Sequence, residues 1–334
     1  MSKTSIRLLS LDGGGVRGLS SLLILRHLMQ SINPSNPPEP CDYFDMIGGT
    51  GTGGLIAIML GRLRLSLEEC IAAYAFLADH VFVKKKHRLG FSSRIQGRFD
   101  SKAFERTIKS FIVKAGLDPE ALLKSSPDAC KVFATATSKE TGGSVCFTSY
   151  RTMRSSHLYD CTKIWEACRA TAATMTFFDP IAIGPFGEQF VDGALGMNNP
   201  VGEVWNQAQD VWGCPLHAKL RCMVSIGTGV PHEIEIKDDV FGMISTLKRL
   251  VTETELSAER FRRDKIDLVE DGRYYRFNVP RGLEDVGLDD SKKRSEVIRA
   301  TSRYATSQAV SAQLNACGRM LLGPRMQYRA RYMQ

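Results

Sequence analysis

The chain lacks any apolar run approaching the ~18 residues that a membrane-crossing helix needs, which removes the multispanning membrane classes. It has no Cys-x-x-Cys pair, and its nine cysteines, scattered from Cys41 to Cys317, cannot all pair with one another. They read as reduced thiols, mostly small core residues. The six histidines show no metal-ligand spacing, so neither a metal site nor a cofactor is expected. No charge sign dominates: 44 basic against 36 acidic residues leave +8, a mild excess that weakly favours an anionic surface such as phospholipid or nucleic acid. A nucleic-acid partner is not expected. Internal repeats and low-complexity tracts are absent. The opening MSKTSIRLLSLDGGG has too short an apolar stretch for a secretory signal. The expected location is therefore cytoplasmic, with peripheral contact at membranes.

What is present is a soluble-protein composition, 43% hydrophobic and 24% charged, in 334 residues. That length accommodates one large α/β domain or two ordinary ones. Nothing marks a boundary, so residues 1–334 read as a single domain. The final RMQYRARYMQ has no natural stop, as in a domain cut from a longer protein. The sharpest basic cluster, Lys84-Lys85-Lys86-His87-Arg88, is either a solvated loop or a contact with lipid headgroups.

The hydrophobic pattern predicts strand, glycine loop and helix, twice in succession. Arg7 to Leu11 is a strand, residues 12–18 a loop, and Leu19 to Ile32 a helix with Leu22, Leu25, Leu28 and Met29 on one face. NPSNPPEP, 33–40, excludes helix and central strand. Tyr43 to Ile47 reads as the second strand and Gly53 to Leu60 as the start of the second helix. Helices follow over LSLEECIAAYAFLADHVF and from Asp100 or Ser101, which would cap DSKAFERTIKSFIVKAG. Lys131–Thr137 and Ser144–Thr148 read as strands about a TGG turn. IWEACRATAATMTFF is a helix running into an irregular segment, and EQFVDGALGMNNP a short strand followed by turns. Asn199 caps a helix opened by Pro200. Leu220–Ile226 is a strand, 239–263 one amphipathic helix, Tyr274–Val279 a late strand, and 290–317 a final helix. The alternation predicts a mostly parallel sheet with helices on both faces.

Gly13-x-Gly15-x-x-Gly18 and Gly49-x-Gly51-x-x-Gly54 both match a dinucleotide-binding fingerprint. That fold also needs an acid about 20 residues on, at the end of the next strand. From the first motif this position falls in the proline linker, and from the second at Glu68 and Glu69 inside a helix, so the match fails. Gly49-Thr50-Gly51-Thr52-Gly53 instead has the spacing of a nucleophile elbow, G-x-S-x-G, with glycine at the tip. An elbow brings neighbouring backbones too close for β-carbons at the flanking positions. Its tip is strained by on the order of 1–3 kcal/mol for a non-glycine residue. Serine-to-glycine at the tip would spare the fold and delete the chemistry. Thr50 and Thr52 each lie one residue off the tip, where an elbow directs the side chain away. The amides of Gly13, Gly14 and Gly15, at the start of a helix, could face developing negative charge. The same loop also reads as a plain tight turn carrying a surface arginine, Arg17.

Together these segments resemble the patatin-like phospholipases, a family of lipid acyl hydrolases. DGGGVRG at 12–18, GGTGTGG at 48–54, FVDGA at 190–194 and SIGTG at 225–229 occur in the family's order, and ACRATAATMTFFDP at 167–180 is similar to its helix-to-loop stretch. The overall style also resembles the patatin-like domains at the N-terminus of fungal NOD-like-receptor-type proteins, which act in self/non-self recognition. The resemblance implies a three-layer α/β/α fold and a serine–aspartate dyad without histidine. Asp192 matches the general base, Gly51 stands where the family has serine, and Gly13, Gly14 and Gly15 match the oxyanion loop. Arg17, Gly18, Gly49, Gly53 and Gly193 match its supporting positions. The implied substrate is a phospholipid or other fatty acyl ester, with no cofactor. With Gly51 in the nucleophile's place, the chain is expected to be inactive. The intact neighbours fit an engineered Ser-to-Gly change, and the alternative is a natural non-catalytic lipid-binding or signalling module. Leu55, Ile56, Met175, Phe177 and Phe178 are candidate walls of an acyl groove or plain core. Relatives often have proline at Met175.

Overall fold

A computed structural model describes residues 5–81, 99–152, 157–174, 177–230 and 243–322. The basic 84–88 cluster and Met175 lie outside the described residues. The chain begins with β1 (Ile6–Leu11), α1 (Gly18–Ile32), α2 (Pro40–Tyr43), β2 (Met46–Thr50) and α3 (Thr52–Ala57). It continues through α4 (Leu67–His80), α5 (Ser101–Lys114), β3 (Lys131–Ser138) and β4 (Ser144–Thr148). Next come α6 (Leu158–Cys161), α7 (Ile164–Thr171), β5 (Ile181–Ile183), β6 (Glu188–Asp192), α8 (Ala194–Met197) and α9 (Val201–Trp212). The last part holds α10 (Leu216–Lys219), β7 (Leu220–Ile226), α11 (Met243–Asp264), α12 (Ile266–Glu270), β8 (Tyr274–Phe277), α13 (Arg294–Ala305) and α14 (Gln308–Leu322).

The strands form one sheet in the order β5-β6-β3-β2-β1-β7-β8, with β4 also paired to β3. β1, β2, β3, β7 and β8 run parallel, and β4, β5 and β6 supply the antiparallel part. Alternate residues of β1 feed opposite cores, as the two-residue period of a strand requires. Leu9 and Leu11 join the cluster beneath α1, with Leu22, Leu25, Leu28 and Met29. Ile6 and Leu8 join a second cluster, with Val204, Trp205, Phe261 and Leu268 from α9, α11 and α12. Helices on both faces make the expected three-layer α/β/α arrangement. No helix of the described residues is long and apolar enough to cross a membrane.

The second strand and the final helix differ from the sequence reading. The second strand starts at Met46, because Pro40 opens a helical turn that takes in Tyr43; proline at a first helical position has no amide to lose. The strand consequently ends on Thr50, against the elbow. The final helix is two, broken at Thr306 and Ser307, where both hydroxyls bond back to the preceding turn. The helix from residue 164 stops at Thr171 and runs into an irregular segment, as expected. Asp100, rather than Ser101, caps α5 by accepting from the amides of Lys102 and Ala103. Asn199 does cap the amide of Val201, with Pro200 one position outside the helix.

Candidate active site

The site is built at one place on β3. Thr135 pairs with Thr50 of β2 on one edge and with Cys146 of β4 on the other. The next residue, Ala136, pairs with Val145 of β4 and with Asp192 of β6. β4 thus occupies one edge throughout, while β2 and β6 share the other, end to end. β2 leaves that edge at the Gly51 turn, and β6, running the opposite way, finishes beside it on Asp192. Two residues far apart in sequence are brought together by consecutive rungs of one ladder.

Gly51 has φ 57 and ψ −122, a conformation in which only glycine is free of strain. A β-carbon there would lie 3.5 Å from each carboxylate oxygen of Asp192 and 3.7 Å from the Gly13 α-carbon. These are ordinary contact distances, so a side chain fits. The flanking glycines are different. A β-carbon on Gly49 would fall 2.2 Å from the Gly53 carbonyl, and one on Gly53 2.2 Å from the Leu11 carbonyl oxygen. Strand, tip and helix are pressed together at backbone distance everywhere except the tip.

Asp192 is buried. Thr174 Oγ1 donates to its Oδ2 at 2.6 Å and the Ala194 amide to its Oδ1 at 3.1 Å. Burial raises its pKa to about 6, against the lowering effect of these bonds and of the Gly193 amide. A carboxylate titrating there is basic enough to take a proton and still ionised at neutral pH. Gly193 packs on Thr135, whose Oγ1 would stand 2.5 Å from an added β-carbon. The end of α7 and the segment after it hold both members of the pair. Thr171 Oγ1 accepts from the Gly51 amide at 2.9 Å, and Ala173 O accepts from the Asp192 amide at 3.0 Å.

The glycine loop lies directly beside the tip. The Gly13 amide donates to Asn198 O at 3.0 Å, and the Gly14 amide to Thr52 Oγ1 at 3.2 Å. Gly15 opens a single 3-10 turn with φ 56, its carbonyl accepting from the Tyr74 hydroxyl. The Gly13 carbonyl accepts from Thr228 Oγ1 and from Asn198 Nδ2. Asn198 Nδ2 in turn donates to Thr254 Oγ1 at 2.6 Å, which ties the loop to α11. Gly18 starts α1 against Tyr74. Arg17 is not a surface residue: it is 4% exposed, burial lowers its pKa to about 10, and its Nε and Nη1 meet no acceptor among the described residues. Behind the loop, Arg276 pairs with Asp12 at 2.6 Å. Burial opposes its charge, yet the Asp12 carboxylate leaves its pKa raised.

Neither neighbouring threonine offers its hydroxyl at the tip. Thr50 Oγ1 donates to Met197 O and accepts from Thr135 Oγ1, while Thr52 Oγ1 holds the Gly14 amide. Of the proposed groove walls, Leu55, Ile56 and Phe178 are fully buried core, and the half-buried Phe177 packs on Phe99. Among the described residues no group of three or more His, Cys, Asp or Glu is arranged to hold a metal ion. The sequence reading missed Thr171, Thr174, Asn198 and Tyr74. The first two sit in the ATAAT run and Asn198 in MNNP, segments that stood out without any role for those residues, whereas Tyr74 carries no local signal.

A family model described as patatin-like phospholipase matches residues 9–205, more than half the chain, including the glycine loop, the Gly51 turn and Asp192. The chain belongs to the patatin-like phospholipase family. Mouse (Mus musculus) calcium-independent phospholipase A2-gamma is 28% identical over 297 residues, covering 86% of this chain and 36% of that protein. Phospholipase A I of Arabidopsis thaliana is 27% identical over 336 residues, covering 83% and 25%. A relative named probable inactive patatin-like protein 9, also from Arabidopsis thaliana, is 28% identical over 219 residues, covering 60% and 53%. The chain thus spans only about a third of the first relative's length and a quarter of the second's.

Proposed function

We propose that the chain is an acyl-hydrolase domain of the phospholipase A type, built for a Ser–Asp dyad and inactive as it stands because position 51 is glycine. The observation that carries this is the place of a β-carbon at residue 51, in ordinary contact with both oxygens of a buried, half-basic carboxylate. A serine hydroxyl, one bond further out, would come within hydrogen-bond reach of Asp192. In the reaction assigned to this site, that hydroxyl attacks the ester carbonyl of a glycerophospholipid and Asp192 takes its proton. The tetrahedral oxyanion is met by amides of the 13–15 loop and by the start of α1. Gly15 is the donor of choice, since the Gly13 amide already serves Asn198 and the Gly14 amide Thr52. Collapse returns the proton from Asp192 to the departing lysolipid oxygen, and water then releases the fatty acid by the same steps.

No metal is assigned to the reaction, in keeping with the calcium-independent name of the mammalian relative. The retained carboxylate, loop and threonine supports favour a single inactivating change, as in an engineered variant. The relative named probably inactive keeps a natural non-catalytic lipid-binding module as the second reading. The deciding experiment restores serine, Gly51→Ser, and measures fatty-acid release from phosphatidylcholine vesicles with and without EDTA. Activity that appears, resists EDTA and disappears with Asp192→Ala is the expected result. A restored protein that binds vesicles without turnover favours the second reading.

A further inference from the structure

The β5–β6 hairpin places one aromatic ring in water. Phe186 is 81% exposed, more than any other large hydrophobic side chain among the described residues. The turn that carries it, Gly184-Pro185-Phe186-Gly187, is tightly built. Gly184 has φ 79 and Gly187 φ 65, Pro185 fixes its own φ, and the Gly187 amide donates to Gly184 O at 3.1 Å. The His157 ring meets Phe186 edge to face at 5.4 Å. An exposed aromatic alone is unremarkable on a protein surface; its position is what matters here. β6 carries Asp192 at its foot, against Ala136, and runs past Ser138 at Phe190 to the last hairpin pair, Ile183 with Glu188. At ~3.3 Å per residue, the turn stands more than 13 Å beyond the carboxylate. It does so in the direction in which β3 and β2 point, beyond the end of the sheet where the Gly51 turn lies. The hairpin therefore projects past the Gly51–Asp192 pair, with Phe186 at its tip.

We propose that this turn is where the protein enters a phospholipid surface, with Phe186 seated among the acyl chains and the hairpin guiding the lipid down toward position 51. The proposal rests on the acyl-hydrolase reading for the identity of the surface. Among the described residues, the charged groups on the hairpin's flank do not form a cationic patch. Glu140 accepts from the Gln189 amide and Lys139 donates to the Gln189 side chain, so charges of both signs sit at the hairpin's flank. Insertion of Phe186 is then an apolar contact, independent of lipid charge. Burying one aromatic side chain multiplies a partition coefficient by about tenfold or more.

The test uses the chain as it is, with Gly51 in place, so that no turnover disturbs binding. Vesicles of pure phosphatidylcholine, and others containing phosphatidylserine, are sedimented with the parent, Phe186→Ala, Phe186→Leu and Phe186→Trp. Phe186→Ala should bind at least about tenfold more weakly to both kinds of vesicle, and Phe186→Leu should recover most of the loss. The fluorescence added by Phe186→Trp should shift to the blue and be quenched by brominated acyl chains. An alanine variant that binds as the parent does, a parent that ignores both vesicles, or unquenched added fluorescence overturns the proposal. A further arm separates this from catalysis. In the Gly51→Ser background, Phe186→Ala should reduce hydrolysis of vesicles and leave a monomeric short-chain ester unaffected. If Gly51→Ser hydrolyses neither substrate, the catalytic reading has failed, while vesicle binding by the Gly51 protein still decides the role of the turn.

Discussion

The two glycine turns look alike in sequence and differ in what their glycines do. In the turn after β1, a β-carbon on Gly13 would meet the Asn198 side chain at 2.3 Å, one on Gly14 the Thr228 hydroxyl at 2.0 Å, and one on Gly15 the Leu288 carbonyl oxygen at 2.0 Å. Every glycine there is required by crowding. In the turn after β2, Gly49 and Gly53 are crowded in the same way, but a β-carbon on Gly51 would make only ordinary contacts with the Asp192 carboxylate and the Gly13 α-carbon. Its constraint is conformational only. One turn is closed by its neighbours so that its amides stay in place. The other is closed at its flanks so that its tip projects. Two turns with the same glycine spacing thus differ in which positions their surroundings constrain.

The largest effect that would sharpen this contrast is chemical. Gly51→Ser should raise phospholipid hydrolysis by at least about 10³-fold, given that loss of a nucleophilic serine costs up to ~10⁶-fold in a well-studied protease. Release of labelled fatty acid measures it, and a restored protein indistinguishable from the parent would break the comparison. Next is the steric difference. Gly53→Ala should cost more than ~3 kcal/mol or prevent folding, because backbone must move, whereas Gly51→Ala should cost only about 1–3 kcal/mol of strain. Urea unfolding separates the two, and equal costs would mean that the tip is no more open than its flanks.

Asp192 supplies a third test. Its folded-state pKa lies above its ordinary value, 3.8 raised to about 6, so the native state holds the proton more tightly than the unfolded chain. The associated stability is fully present below the unfolded pKa and is lost as pH rises through the folded one. At neutral pH the ionised carboxylate therefore destabilises the fold, by up to roughly 3 kcal/mol. Asp192→Asn should stabilise the protein at pH ~7.5 by on the order of 1–3 kcal/mol, with the gain shrinking toward pH ~4. In the Gly51→Ser protein, kcat should rise with pH through about 6 as the base loses its proton. The smallest effect concerns the first turn's support. Thr254→Val removes the acceptor that orients Asn198 and should cost about 1 kcal/mol of stability. With Gly51→Ser it should lower kcat several-fold at nearly constant KM, with recovery in Thr254→Ser.

Much of this was legible in the sequence for a physical reason. Most glycines of the two turns are enforced by close contact with neighbouring backbone or side chains, so they form a readable pattern. The alternating strands and amphipathic helices likewise follow from burial. Other features were not local. The end of the second strand was misplaced because a proline-initiated helical turn overrode an apolar run. Thr171, Thr174 and Asn198 act through bonds made across the fold, and a threonine or asparagine in a loop gives no sign of which distant amide or carboxylate it will meet. The surface reading of Arg17, which the glycine loop allowed beside a role in holding the loop, fails because the chain folds over the side chain.

The shared edge of β3 has one more consequence. The interval between the tip and the carboxylate is metered by the pitch of a single backbone, not by the long stretch of chain that separates them. That stretch is free to gain or lose surface loops without detuning the pair, since the ruler lies elsewhere. The arrangement is correspondingly intolerant of a shift in reading frame along the ladder. Sliding β6 by one residue would turn Asp192 to the opposite face of the sheet, and a protein with every motif intact would then have nothing for a nucleophile to lean on.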